Sequence, residues 1–187
     1  MFRIALSLFA LLVMTPFSQA VVVNDVDVAD SIQVADQSLE LNGTGIRSKF
    51  FLNLYVGALY LTQKSGDGQA LIAADEPMTI RLHITSSMID GEKMSEATLD
   101  GFIKSTGGNL APIQNEVDLM ISAFRDAVKD KDVFDLQYVP GKGVTVLRNG
   151  QVKVVVPGLK FKQALFGIWL SEDPVQDDMK EGMLGDA

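Results

Sequence analysis

An arginine at the head of a long apolar run is the residue best placed to do chemistry. Arg47 lies in Gly45-Ile46-Arg47-Ser48-Lys49-Phe50-Phe51, and the run continues through Tyr55 to Ala58-Leu59-Tyr60-Leu61. A guanidinium offers five donors in a planar fork and keeps its charge. In apolar surroundings it needs water or an anion. Tyr55 shares a face with Arg47 if the strand is regular, and it adds a hydroxyl donor. Together they make a clamp for a carboxylate or a phenolate. Tyr60 reaches that face only if a bulge flips the register. It is read as a secondary wall of the same site. The competing reading of Arg47 is a surface ion pair at a strand start, which would contribute little.

Other candidates are weaker. His83 is the only histidine and falls on the polar face of a strand, where a solvated or hydrogen-bonded role is expected. No Gly-x-Ser-x-Gly elbow accompanies it. The chain has no cysteine, which excludes disulfides, a thiol nucleophile and thiolate-bound metal. The acid pairs Asp25/Asp27 and Asp177/Asp178 lack calcium-loop spacing. Two Gly-x-Gly pairs, at 43–45 and 141–143, read as turns rather than phosphate cradles. No metal or cofactor is expected.

Net charge is −8, and 47% of residues are apolar. The acidity argues against nucleic acid and against anionic lipid as partners, and the apolar fraction can supply a core. Residues 1–20 read as a cleaved secretory leader. Arg3 gives the positive start, Ile4 to Val13 the apolar centre, and Ser18-Gln19-Ala20 the cleavage site. No later stretch is long enough to span a membrane. The expectation is a periplasmic or secreted protein comprising residues 21–187 as one domain, with 21–38 as an N-terminal arm or edge strand.

The elements that must position Arg47 follow from periodicity. Leu39 and Leu41 begin a strand, and Asn42-Gly43-Thr44-Gly45 signals a turn. Ile46 to Thr62 exceeds an average strand, so a bulge or bend is expected near Phe51 to Asn53. Ala70 to Ala74 forms a short helical turn. Thr79 to Thr85 alternates as a half-buried strand. Ser87 with Asp90 resembles a capping box opening a helix to about Lys104. Val117, Met120, Ile121, Phe124 and Val128 make one helical stripe. Phe134 to Tyr138 is a strand, and Asn149-Gly150 is a hairpin turn between two valine-rich runs. Phe161 to Leu170 is a buried helix carrying Trp169, and Asp173-Pro174 starts a final helix. Strands and helices so ordered give an α+β fold, an antiparallel sheet with helices on one face.

The ordered set Gly45-x-Arg47-x-Lys49-Phe50, Tyr55, Ala58-Leu59-Tyr60-Leu61, Pro140-Gly141-x-Gly143, Asn149-Gly150 and Phe161-x-x-Ala164-Leu165-Phe166-x-Ile168-Trp169-Leu170 resembles the bacterial chalcone-isomerase-like family. The resemblance covers about Leu39 to Gly185. It implies a large antiparallel sheet backed by a layer of helices, with a ligand cleft between them. It also implies two alternative activities. Plant chalcone isomerases close a chalcone to a flavanone by attack of a phenolate on an enone. Related plastid proteins bind fatty acids without catalysis, holding the carboxylate with an arginine and a tyrosine. Arg47 matches the arginine of both branches, and Tyr55 falls near the tyrosine of the binders. The enzymes' tyrosine and asparagine positions read Asp90 and Ala97 here. Alanine cannot hydrogen-bond a substrate, and aspartate repels a phenolate. A small amphipathic carboxylate or phenolate ligand, such as a fatty acid, is therefore expected, with Arg47 as anchor. An isomerase or lyase that uses Arg47 to stabilise an oxyanion, and a non-enzymatic envelope interaction protein, are the alternatives.

Overall fold

The strands of the main sheet pair in chain order. The computed structural model describes residues 20–124 and 126–185. The expected leader therefore lies outside the described residues, except for Ala20. A two-stranded hairpin, β1 (Ala20–Val23) and β2 (Val26–Ala29), comes first. Seven antiparallel strands then form the main sheet. They are β3 (Ser31–Val34), β4 (Gln37–Lys49), β5 (Leu52–Leu61), β6 (Met78–Ile84), β7 (Val133–Val139), β8 (Gly143–Arg148) and β9 (Gln151–Val156), and each pairs with the next. The helices are α1 (Gly68–Ala73), α2 (Gly91–Ser105), α3 (Gln114–Ile121), α4 (Leu159–Leu170) and α5 (Asp177–Leu184). This is the expected α+β architecture.

The pleat sorts side chains onto two faces. On β5, Leu59 and Leu61 join the helices in the main core, with Phe102, Phe161 and Leu165. Val56, Ala58 and Tyr60 point the other way, into a smaller cluster with Val28, Ile32, Val34 and Leu39. The N-terminal arm thus covers the outer face of β4 and β5. Ile80, Leu82 and Ile84 of β6 are buried in the main core, as their alternation predicts.

Several expected boundaries move, each for a physical reason. Asn42 to Gly45 is not a turn, because β4 runs through it. Its glycines serve a close approach of α5 instead. A Cβ on Gly45 would lie 2.3 Å from the Met179 carbonyl oxygen, and one on Gly182 would lie 2.3 Å from that of Thr44. The run from Ile46 to Thr62 is not one bent strand. It folds back at Phe50-Phe51, with Phe50 at φ +58°, so that β4 and β5 pair. Asp90 caps α2 itself, accepting from Lys93 N at 2.9 Å, so Ser87 has no part in the cap. The third helix ends at Ile121 and continues as a 3-10 turn, Ser122–Phe124; Val128 lies beyond it yet is still buried. The last helix starts at Asp177 rather than at Asp173-Pro174. Asn149-Gly150 does turn the β8–β9 hairpin, both at positive φ.

Lys162 of α4 is wholly buried. Its ammonium donates to the carbonyl oxygens of Leu71 at 2.6 Å, Ile72 at 3.0 Å and Ala74 at 2.7 Å. These lie at the C-terminal end of α1, where carbonyls otherwise lack partners. Burial pulls the Lys162 pKa down to about 8, while nearby Asp75 and Glu76 oppose the shift. The Tyr138 hydroxyl donates to Asp75 Oδ1 at 2.5 Å, which links the sheet to the same corner.

Lys162→Met would take the ammonium from one buried and two half-buried carbonyls and should cost about 3 kcal/mol in urea denaturation. Gly45→Ala should cost about 1–3 kcal/mol by the same measurement, because α5 must shift to admit the methyl group. A neutral outcome would mean that α5 is not seated against β4 as described.

Candidate functional site

The tight hairpin that replaces the expected single strand is what brings Arg47 and Tyr55 together. They are direct cross-strand partners on β4 and β5, just before a register shift. Cross-strand partners share a face of the sheet, and here that face looks toward the helices. Both line a cleft of about 500 Å³ between the sheet and the helices. The cleft's walls are mostly apolar. Leu54, Leu82 and Leu136 rise from the sheet, Met94 comes from α2, Met120 from α3, and Ile168 and Trp169 from α4. Its volume falls within the range usual for small-molecule sites, roughly 300–1,000 Å³.

Arg47 is held by neutral acceptors. Its Nη1 donates to the Ser48 carbonyl oxygen at 3.0 Å and to Gln176 Oε1 at 3.0 Å. No acid pairs with it among the described residues, and Nε and Nη2 have no protein partner there. Gln176 caps the register of this corner. Its Oε1 also accepts from Ser48 N at 3.0 Å, and its Nε2 donates to the Ile46 carbonyl oxygen at 3.1 Å. Its position at the N-cap of α5 is set by that helix's glycine-mediated contact with β4.

The Tyr55 hydroxyl accepts from Trp169 Nε1 at 3.1 Å. Its own proton has no acceptor among the described residues and is free to face a ligand. Burial raises the phenol's pKa above its usual value, against the Trp169 hydrogen bond and the Arg47 charge. Tyr55 therefore remains a protonated donor at neutral and mildly alkaline pH.

Tyr60 does not belong to this cleft. It sits an odd number of residues from Tyr55, so the pleat turns it to the outer face, where it is fully buried. Its hydroxyl donates to the Ala29 carbonyl oxygen at 2.9 Å, which pins the β1–β2 hairpin. The Arg81 guanidinium lies 5.8 Å from its ring centroid and pairs with Asp135. Burial pushes its pKa up to about 12. The expectation of Tyr60 as a secondary ligand residue is corrected accordingly.

His83 also lies on that outer face, opposite Val56 and Val133. It is half-buried rather than solvated, and its Nε2 has no partner among the described residues. Burial, helped by Arg81, lowers its pKa, so it is neutral near pH 7. It cannot act as a base in the cleft. Asp90 is spent on the α2 cap and on Lys93. Ala97 lines the cleft and offers it only a methyl group. The charged groups around the mouth are Lys49, Lys93, Glu96, Asp100 and Lys104. A second hollow, near the Asn149 turn, is a polar surface depression in which Arg148 already pairs with Asp132.

Two residues of the site were not legible beforehand. Gln176 carried no signal, because the last helix was expected to start three residues earlier. Trp169 was expected in a buried helix, but nothing along the chain tied its indole to Tyr55.

No curated protein matches the chain. Among solved structures, a fatty-acid binding protein of Arabidopsis thaliana matches with a TM-score of 0.70 at 18% identity, covering 88% of this chain and 95% of that one. At that identity the likeness speaks for the fold. The family profile described as chalcone isomerase-like matches residues 20–185. That match runs from β1 to the end of α5, taking in the hairpin, the helices and the cleft between them, and the chain belongs to the chalcone isomerase-like family.

Proposed function

We propose that this protein binds a small amphipathic carboxylate, a fatty acid being the simplest, and that Arg47 anchors the head group. One observation carries the reading. The Arg47 guanidinium lines a largely apolar cleft with part of its donor edge unused and no acid in ion-pair contact with it among the described residues. A buried or half-buried cation without a counter-ion is costly, and an incoming carboxylate supplies one. Tyr55 adds a second donor on the same side of the cleft. The apolar walls then take up a hydrocarbon tail. The structural likeness to a fatty-acid binding protein is consistent with this ligand class.

Catalysis of the chalcone isomerase type is less well supported. The positions expected to hold the enzymes' tyrosine and asparagine are Asp90, used as a helix cap, and Ala97. The only histidine faces away from the cleft. The leader-like residues 1–20 support export to the periplasm or beyond as part of the proposal.

Calorimetric titration with palmitate should show saturable binding to the wild type. Arg47→Ala should weaken it by about tenfold to a hundredfold, the loss of one or two charge-assisted hydrogen bonds. Absence of palmitate binding by the wild type, or unchanged affinity in Arg47→Ala, would refute the anchor. Gln176→Ala should weaken palmitate by about three- to tenfold while leaving Arg47 in the chain, because the guanidinium loses the contact that aims it. Equal affinity in that variant would show that Arg47 is positioned by the strand alone. A hydroxychalcone incubated with the protein should cyclise no faster than in buffer.

A further inference from the structure

The β4–β5 hairpin ends in two phenylalanines that stand almost wholly in solvent. Phe50 is 89% exposed and Phe51 102% exposed. Leu52, 46% exposed, follows them on the same tip, and Met88, 53% exposed, stands on another loop at the cleft mouth. Water-facing turns are ordinarily built from polar or small residues, and a bulky residue at positive φ is strained. Here Phe50 holds φ +58° where glycine or asparagine would fit without cost. The tip therefore accepts both hydration of two aromatic rings and backbone strain, with no return inside the fold.

The tip also differs from the rest of the chain in charge. The chain carries −8 overall, yet no aspartate or glutamate occurs from Leu41 to Gly66, while Arg47, Lys49 and Lys64 do. Lys49 is exposed beside Phe50. Lys93, on the other side of the mouth, is balanced by Asp90 at 3.3 Å. Phe50, Leu52 and Met88 belong at once to this surface and to the cleft lining. An apolar path thus runs from the exposed tip into the cavity.

We propose that the Phe50-Phe51 tip docks on a phospholipid bilayer surface, with the aromatic rings in the interfacial layer and Lys49 against headgroup phosphates. Aromatic side chains favour that layer, and a basic residue beside them adds attraction to phosphate. Docking so oriented faces the cleft mouth toward the lipid, which is where a fatty acid resides. That link to a fatty acid rests on the fatty-acid reading given above; the docking itself does not.

The test is flotation of the full chain with phosphatidylcholine vesicles, with and without phosphatidylglycerol, comparing wild type with Phe51→Ser. The two proteins share every other residue, so contributions from the N-terminal residues cancel. Phe51 is not part of the cleft lining, so palmitate affinity in solution should be the same for both. The wild type should float with vesicles, more strongly with phosphatidylglycerol present, and Phe51→Ser should float about tenfold less. Equal flotation of the two proteins, or none by the wild type, overturns the proposal. So does a concentration-dependent dimer that Phe51→Ser abolishes, since the tip would then be covered by a second copy. Phe51-dependent flotation without palmitate binding would sustain docking while defeating the cleft reading.

Discussion

A guanidinium fixed by neutral acceptors is the constraint on which the site depends. Had an acid paired with Arg47, the cation would be satisfied and the cleft would have no reason to attract an anion. Gln176 and the Ser48 carbonyl instead orient it without neutralising it. That arrangement needs α5 to lie almost against the backbone of β4. Glycines at 43, 45 and 182 provide the clearance, so the packing of a helix on a strand sets the aim of the Arg47 guanidinium. The same logic recurs at Tyr55, whose lone pair is taken by Trp169 so that its proton points elsewhere. Both donors are held from the protein side and left open on the other.

The two faces of the sheet divide the labour. The helix side carries the cleft, with donors at one end of an apolar wall. The outer side holds Tyr60, Arg81, Asp135 and His83, and the N-terminal strands cover part of it. Tyr60 is only five residues from Tyr55, yet the pleat places them in unrelated environments. One phenol is available to a guest, and the other anchors an arm of the fold.

Much of this was legible in the sequence. Strict alternation in β6 and β7, the Asn149-Gly150 turn and the apolar helix around Trp169 are local patterns, and each formed as local physics requires. The α+β class followed from such patterns and from resemblance. What could not be read was set by distant contacts. Asn42 to Gly45 carries turn residues but is strand, because its glycines answer to α5 rather than to a bend. Phe50-Phe51 carries strand residues but is a turn, because β4 and β5 gain a full ladder by pairing. Arg47 and Tyr55 were expected on one face of a single strand. They do share a face, but across two strands rather than along one.

Trp169 has a consequence beyond positioning Tyr55. It is the sole tryptophan of the chain and forms part of the cleft wall. Its indole N–H is tied to the Tyr55 phenol. The chain therefore contains a single built-in optical reporter, seated in the wall of the cleft. Ultraviolet emission from the unlabelled protein reports on the surroundings of that one wall, with no background from any other indole.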